Sequence, residues 1–538
     1  MQISEIKLGL SRIKMFLKLL DNPQKNLKVV HVAGTNGKGS TINFLEGIAI
    51  RQGVNCGTYT SPYLFSVLEN IRVKGVEITK TEMLEWLAIS SNAKHITEKH
   101  EGKLTEFELH TAMALWHFDK KKCDIVFLET GLGGELDATC VADNRNIFAF
   151  TNISVDHIEY FGNTAIGNAK SEFGIITKNS MVFSAFQEKQ VAELLAKECQ
   201  EKDSTIEFSE FEYKGKIKSN SSFSPLNAAL AASVAKYLGY SDAAIKEGIE
   251  KTNDLSGRFY KIKSNPTVIF DVAHNVAGIK ELLKSLKKNY KDKEIVFIAG
   301  ICKDKQIDEM LELLSTVSNT IAVVDDVEIE RLVEGRYLAP IAKKYFDNVT
   351  TILPWDASKF VTSLDKNAVV VVCGSFLMRE TAFEIEHARV SSILINIDFR
   401  KLNSKIIKNE MDRKFCKHDV THAYEVFSMA QKLNIRNNLG FDKDVVFAAA
   451  MLHDIGRAEE AKNHAIASSK LAVPILEKAG YDSFEIKQII KAIKHHSKKL
   501  EKNSDPLADL LFEADKKSRD CESCKAKSKC KNHQQTRI

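Results

Sequence analysis

No run in this 538-residue chain approaches 18 consecutive apolar residues, so no stretch is long enough to span a bilayer as a helix. The opening, Met1-Gln-Ile-Ser-Glu-Ile-Lys7, lacks the basic stretch and apolar core of a secretory signal. Neither sign of charge dominates. The 76 basic and 71 acidic residues leave +5, too little to argue for nucleic acid or a membrane surface. Internal repeats and low-complexity tracts are missing too. Disulfide-type spacing is absent over most of the chain: of ten cysteines, all but three near the C-terminus stand singly. That suits free thiols in a reducing compartment. The expectation from these absences is a cytoplasmic protein with no nucleic-acid and no membrane partner. No pattern sets an oligomeric state.

What is there is ordinary globular composition, 44% hydrophobic and 27% charged, with length for roughly three or four domains. One stretch organises most of it. An apolar run from Leu27 to Val32 reads as a buried strand, and an apolar-periodic segment from Thr41 reads as a helix. Between them lie Gly34, Thr35, Asn36, Gly37, Lys38, Gly39, Ser40 and Thr41. A glycine-rich turn between strand and helix puts backbone N–H groups and a helix N-terminus around a polyphosphate. Lys38 would reach the terminal phosphates, and Ser40 or Thr41 a phosphate or Mg²⁺. The run is one residue from the Walker pattern, because Gly39 separates Lys38 from Ser40.

Along the chain, residues 1–30 read as an amphipathic helix (Ile6, Leu8, Leu10, Ile13, Phe16, Leu17, Leu20) ending at Asn22-Pro23. Asp124–Glu129 is a strand followed by the turn Thr130-Gly-Leu-Gly-Gly134, and Ile147–Asn152 is a strand followed by Asp156-His157. Strands alternating with helical patterns predict a parallel α/β sheet, with functional loops at the strands' C-terminal ends. Polar, serine-rich residues 210–224 read as loop, and Asn227–Leu238 as helix. Near Leu255-Ser-Gly-Arg258 a second, smaller doubly wound α/β unit begins, with strands at 267–271, 294–299, 320–324 and 368–373. From about residue 400 strand signals stop, and helical periodicity with histidines and lysines predicts an all-helical domain. The expected division is therefore 1–255, 256–390, 400–520 and a cysteine-rich tail, 521–538.

With these motifs in hand, residues 1–385 are seen to resemble the folylpolyglutamate synthase/dihydrofolate synthase family of the Mur ligase superfamily. The resemblance is carried by Leu20-Asp-Asn-Pro-Gln24, Ala33-Gly-Thr-Asn-Gly-Lys-Gly-Ser40, Tyr59-Thr-Ser-Pro62, Glu129-Thr-Gly-Leu-Gly-Gly134, Leu136-Asp-Ala-Thr139, Asp156-His157, Gly162-Asn-Thr164, Ser256-Gly-Arg258 and Asp271-Val-Ala-His-Asn275. It implies a P-loop Mur-ligase-type central domain followed by a smaller Rossmann-like α/β domain. It also implies ATP-dependent joining of L-glutamate to dihydropteroate or a folylglutamate through an acyl phosphate. By resemblance Ser61 and Glu129 hold Mg²⁺, and His157 holds a second metal. Asn227 contacts adenine or ribose, Arg258 reaches the phosphates, and Asp271 and His274 close over the nucleotide from the small domain.

The chain departs from the family at several positions. Glu135 and Cys140 stand where many members have arginine and asparagine, Tyr63 where they have histidine, and Ser224 at the adenine-region glutamine. The lysine that members carbamylate falls on Glu172 in an ungapped alignment, or on Lys170 with a gap. Glutamate already offers a carboxylate, on a shorter arm.

Residues of about 405–520 resemble HD-domain metal-dependent phosphohydrolases through His422, His453-Asp454 and Asp515, with His464, His495 and His496 between them. Imidazoles and carboxylates on facing helices suit a transition metal (Fe, Mn or Zn), and the extra histidines suggest two. His418-Asp419 is a second His-Asp pair nearby. In the tail, Cys521, Cys524, Cys530 and His533 form a zinc-like ligand set with short spacing, or are reduced surface thiols. The leading expectation is a glutamate ligase fused to an HD phosphohydrolase. The alternative is a catalytically altered nucleotide-binding module that regulates the HD domain.

Overall fold

A computed structural model describes residues 9–64, 66–155, 162, 164–264, 266–396, 420–437, 439–459, 463–497 and 505–518. The chain forms two compact units, residues 1–382 and 383–538.

In the first unit, helix α1 (Ser11–Lys18) carries Ile13, Phe16 and Leu17 of the expected amphipathic helix, while Ile6 and Leu8 lie outside the described residues. Asp21 and Asn22 take left-handed backbone, φ 61° and 53°, which ends the helix before a 3₁₀ turn at Pro23–Asn26. Strand β1 (Val29–Ala33) follows, every residue buried. Its side chains alternate between two cores: Val29 packs with Phe16 and Leu128 on one face, Val30 and Val32 with Ile42 and Leu45 on the other. The turn after it opens α2 (Lys38–Gln52). Strands β2 (Cys56–Tyr59), β3 (Ile71–Val73) and β4 (Val76–Glu77) come next. Helices α3 (Lys80–Glu101) and α4 (Glu106–Lys120) each start at a threonine–glutamate capping box. Then come β5 (Ile125–Glu129), β6 (Arg145–Phe150), α5 (Ala165–Phe173), β7 (Met181–Ser184), α6 (Lys189–Glu201) and β8 (Thr205–Phe208). Helix α7 (Ser224–Tyr237) begins three residues earlier than expected, with Pro225 in its first turn, and α8 (Asp242–Lys251) follows.

The sheet order is β4-β3-β2-β5-β1-β6-β7-β8, with β3 alone running antiparallel to its neighbours β2 and β4. Because β2, β5, β1 and β6 are neighbours, the loops after them emerge side by side at one end of the sheet.

A second sheet contains β9 (Tyr260–Ser264), β10 (Thr267–Phe270), β11 (Ile295–Ala299), β12 (Thr320–Val324), β13 (Asn348–Ile352) and β14 (Val369–Cys373). Their order is β13-β12-β11-β14-β10-β9, with β9 alone antiparallel to its neighbour. Helix α9 (Val276–Asn289) follows β10, and α10 (Ile307–Ser315), α11 (Gly335–Ala342) and α12 (Ala357–Ser363) complete the layers. Helix α13 (Arg379–Asn396) leaves this sheet.

The second unit is helical among the described residues. It holds α14 (Val420–Arg436), α15 (Lys443–Leu452), α16 (His464–Lys478), α17 (Ser483–His495) and α18 (Pro506–Lys517) around one apolar core that includes Val426, Phe447 and Ile489.

All six cysteines within the described residues are buried free thiols: Cys56, Cys123, Cys140, Cys199, Cys302 and Cys373. Among the described residues no helix is long and apolar enough to cross a membrane.

Candidate active site and metal centre

The turn after β1 is built for close approach. Gly34 and Gly37 have φ of 121° and 99°, and a Cβ on Gly37 would sit 2.4 Å from the Asn227 amide oxygen on α7. Lys38 Nζ folds back onto the carbonyls of Gly34 (2.7 Å) and Thr35 (3.4 Å). Thr35 is pinned to Ser154 by two hydrogen bonds, its Oγ1 donating to the carbonyl (3.0 Å) and accepting from the amide (2.9 Å). The Thr41 hydroxyl, in the first turn of α2, is buried with no hydrogen-bond partner.

Glu129 closes β5, 3% exposed, and accepts the Ser61 amide at 3.0 Å from the loop after β2. Burial pushes its carboxyl up, while Lys38, the Ser61 amide, Arg258 and Arg72 pull the other way. Gly39 leaves room beside it, since a Cβ there would stand 3.4 Å from Glu129 Oε2. Across the cleft, Asp271 directly follows β10 and accepts the amides of Phe259 and Ala273, both at 2.8 Å. Its carboxyl is also pushed up by burial against the pull of Arg258. His274 Nδ1 bonds the Val272 carbonyl (2.9 Å), and Asn275 caps α9 while accepting from Asn36 at 3.4 Å.

Two connected hollows result. One is lined by Gly37, Ser40, Ser224, Asn227, Arg258 and Asp271, and so by both α/β layers. The other, of about 520 Å³, adjoins it along Asn253–Leu255 and Arg258 and is lined by Gly39, Ser61, Arg72 and Glu129.

Glu172 and Lys170 part company on α5: Glu172 is buried and Lys170 exposed. A Cβ on Gly133 would come within 2.4 Å of Glu172 Oε2, so the glycine turn after β5 lies directly on this carboxylate. Glu135 is exposed. Cys140 is buried against the Gly134 carbonyl, and burial pushes its thiol up to about 12. Ser224 donates to Ser219 at 2.6 Å. His157 lies outside the described residues.

Sequence reading missed Asp137 and Thr139 as anything but motif letters. Asp137 accepts the amides of Gly131, Leu132 and Gly133 at 2.9, 3.0 and 3.1 Å and so shapes the glycine turn. The available signal was a carboxylate a few residues beyond a glycine-rich turn, a spacing that lets it fold back onto turn amides.

In the helical unit, five elements bring their ligand-type side chains together. His422 Nε2 on α14 lies 3.0 Å from Asp515 on α18. Asp454, just beyond α15, faces His453 (3.4 Å), His464 (3.2 Å), His496 (3.5 Å) and Arg457 (2.9 Å). His422, His453 and Asp515 form one cation-sized grouping, and His453, Asp454 and His496 another. His453 and His496 both spend Nδ1 on a backbone carbonyl 2.6 Å away, at Ala450 and Ile493, which turns Nε2 toward the cluster. His453 Nε2 is buried without a well-formed hydrogen bond. Burial opposes the charged His453 ring, but Asp454 overrides it and holds the ring's pKa up; Asp454 is held well below its usual range, chiefly by His453 against burial. A buried carboxylate facing the Nε2 atoms of several imidazoles fits a transition metal. His495 is corrected: one residue along a helix rotates by about 100°, and it is His496 that joins the cluster. Gly456 permits the packing, since a Cβ there would meet the Ser468 amide at 2.3 Å. His418, Asp419, Cys521, Cys524, Cys530 and His533 lie outside the described residues.

A phosphate loop on one α/β layer, facing a second across a shared cleft, defines a two-domain ligase of the Mur type. Family models agree: the Mur ligase middle domain matches residues 32–229, the Mur ligase glutamate ligase domain 257–376, and the HD domain 419–520. The chain belongs to the dihydrofolate synthase/folylpolyglutamate synthase family and carries an HD domain beyond the ligase. It is 30% identical over 408 residues to the dihydrofolate synthase/folylpolyglutamate synthase of Bacillus subtilis, covering 69% of this chain and 93% of that protein. To the Escherichia coli counterpart it is 32% identical over 412 residues, covering 72% and 93%. The fold matches Mycobacterium tuberculosis folylpolyglutamate synthase complexed with ADP and AMPPCP (TM-score 0.65, 27% identity, 70% and 94% covered). It also matches E. coli FolC in complex with DHPP and ADP (TM-score 0.63, 28% identity, 72% and 95% covered).

Proposed function

We propose that residues 1–382 join L-glutamate to the carboxylate of dihydropteroate or a folylglutamate at the expense of ATP. One observation carries this reading: a single cleft is lined by phosphate-loop residues from one layer and by Arg258 and Asp271 from the other. A carboxylate is a poor electrophile. Its oxygen attacks the γ-phosphorus, ADP leaves, and the glutamate amine then attacks the acyl carbon, loses a proton and expels phosphate. Lys38 and Arg258 would lie along the phosphates, where their fixed charge offsets charge that moves during transfer. Ser61 and Glu129 would hold Mg²⁺, and Glu172 and His157 a second ion; such ions, when bound, supply charge neutralisation. Asn227 would meet adenine or ribose, and His274 with Asp271 would close over the nucleotide. Solved relatives support the substrate set: one holds DHPP and ADP, another Mn, AMPPNP and L-glutamate.

The test is ADP release measured with and without L-glutamate for each acceptor. ADP should form only when both are present. Release that ignores glutamate would contradict the ligase reading.

We infer further that the HD domain holds a transition metal through His422, His453, Asp454 and Asp515, with His464 and His496 toward a second ion, and acts as a phosphohydrolase. Such ions, when bound, make water a better nucleophile and polarise a phosphoryl oxygen. His453→Ala with Asp454→Ala should empty the site by elemental analysis and abolish phosphoester cleavage. Unchanged metal content would overturn it. The buried free thiols support a reducing, cytoplasmic setting, and the C-terminal cysteines with His533 remain candidate zinc ligands.

A further inference from the structure

We propose that His31, Thr139 and Asp137 form a buried relay that positions the Gly131–Gly133 turn, and through it the Glu172 carboxylate, for the second divalent cation. This rests on reading Glu172 as a cation ligand.

Asp137 is 4% exposed and its carboxylate is fully used. Oδ2 takes the three turn amides, while Oδ1 takes the Thr139 amide at 3.0 Å and the Thr139 hydroxyl at 2.5 Å. Five donors fill the roughly four lone-pair sites of a carboxylate. Asp137 is therefore a poor ligand but a firm anchor.

The Thr139 proton points to Asp137, so Thr139 Oγ1 accepts from His31 Nε2–H at 2.7 Å. His31 sits mid-strand in β1, fully buried, paired in register with Leu128 and Phe148. The same strand leads into the phosphate loop. Its position thus fixes two things at once: where the phosphates are gripped and where the glycine turn lies.

The turn's other side meets α5. Gly133 and Gly134 both have φ of 87°; added Cβ atoms would stand 2.4 Å from Glu172 Oε2 and 3.0 Å from Ser171 Oγ. A Cβ on Gly174 would meet the Glu135 amide at 3.3 Å. Backbone and carboxylate are in contact with nothing between them. A shift of the turn must displace Glu172, and the turn begins one residue after Glu129. The relay consequently sets the spacing of the two carboxylates.

Thr139→Val keeps the shape and removes the hydroxyl. The probe is Mn²⁺, titrated by electron paramagnetic resonance into the full-length protein with and without AMPPNP, counting only the nucleotide-dependent ions. Amide exchange at Gly131–Gly133 is followed in metal-free protein. The variant should exchange faster at those amides, weaken the second nucleotide-dependent Mn²⁺ at least tenfold, lower kcat and leave the first Mn²⁺ and the KM for ATP unchanged. Thr139→Ser should restore all three altered properties. His31→Leu should reproduce the defect, and His31→Gln, which keeps a donor, should reduce it. If Glu172→Gln retains both ions, the reading of Glu172 fails on its own. If Glu172→Gln loses one while Thr139→Val and His31→Leu keep both, with native exchange, the relay is overturned. A Thr139→Val protein that does not fold is an adverse result unless His31→Leu folds and shows the selective loss.

Discussion

Lys38 opens α2 with its ammonium curled over the carbonyls of Gly34 and Thr35. Lys38→Ala removes no core contact. The variant should melt within a few degrees of the parent without nucleotide and lose ATP turnover; calorimetry and an ADP assay check both, and retained turnover removes Lys38 from the phosphate site. Glu172 carries a sharper prediction. Glu172→Gln should lower turnover by ~10²-fold if this charge matters like other single electrostatic contacts at active sites. Lys170→Ala should be nearly silent, and bicarbonate depletion should not slow the native enzyme. The three rates, measured side by side, decide which residue supplies the carboxylate. His31 has a pH signature. Burial first, with help from Arg145, holds its pKa well below 6.5. Below pH 6.5 the unfolded chain binds a proton that the fold refuses, so stability should fall as pH drops. His31→Leu should flatten that slope in urea titrations taken between pH 7 and 5. The phosphate loop and the His-Asp pair were legible because their spacing is local. The choice between Glu172 and Lys170, or His495 and His496, was not, because neighbours on a helix differ only in which way they face.

Helix α2 links the loop to the rest of its layer, and it does so through glycine. A Cβ on Gly248 of α8 would lie 2.5 Å from the Ile48 Cα, and one on Gly47 would lie 2.2 Å from Thr252 Oγ1. The helices touch backbone to backbone. Gly248→Ala should therefore destabilise by ~1–3 kcal/mol through overpacking, read from urea unfolding, and should raise the KM for ATP because α2 carries the phosphate loop. Substitution without either effect would mean that α8 yields freely. Elements such as β1, β5, β11 and β14 were readable because strands buried on both faces are continuous apolar runs. The edge strands β4, β8 and β9, with β3 beside β4, were not, because they are largely or partly exposed and so lack a continuous apolar run.

Two compact units in one chain imply two melting events. ADP with Mg²⁺ should raise only the transition of residues 1–382, and a transition-metal chelator should lower only that of the helical unit, since each ligand binds one native state. Calorimetry with either addition checks this; a single transition that moves with both would mean that the units unfold together. The thiols offer a view of the first unit from the opposite direction. All six described cysteines lie within it, and burial pushes Cys56, Cys123 and Cys140 to about 12 and Cys199 to about 11. Alkylation needs thiolate, so at pH 8 iodoacetamide can mark them only when the surrounding layer comes apart. Spread over both sheets and their helices, they act as timers sewn into the fabric. The order in which mass spectrometry finds them labelled is the order in which the ligase opens.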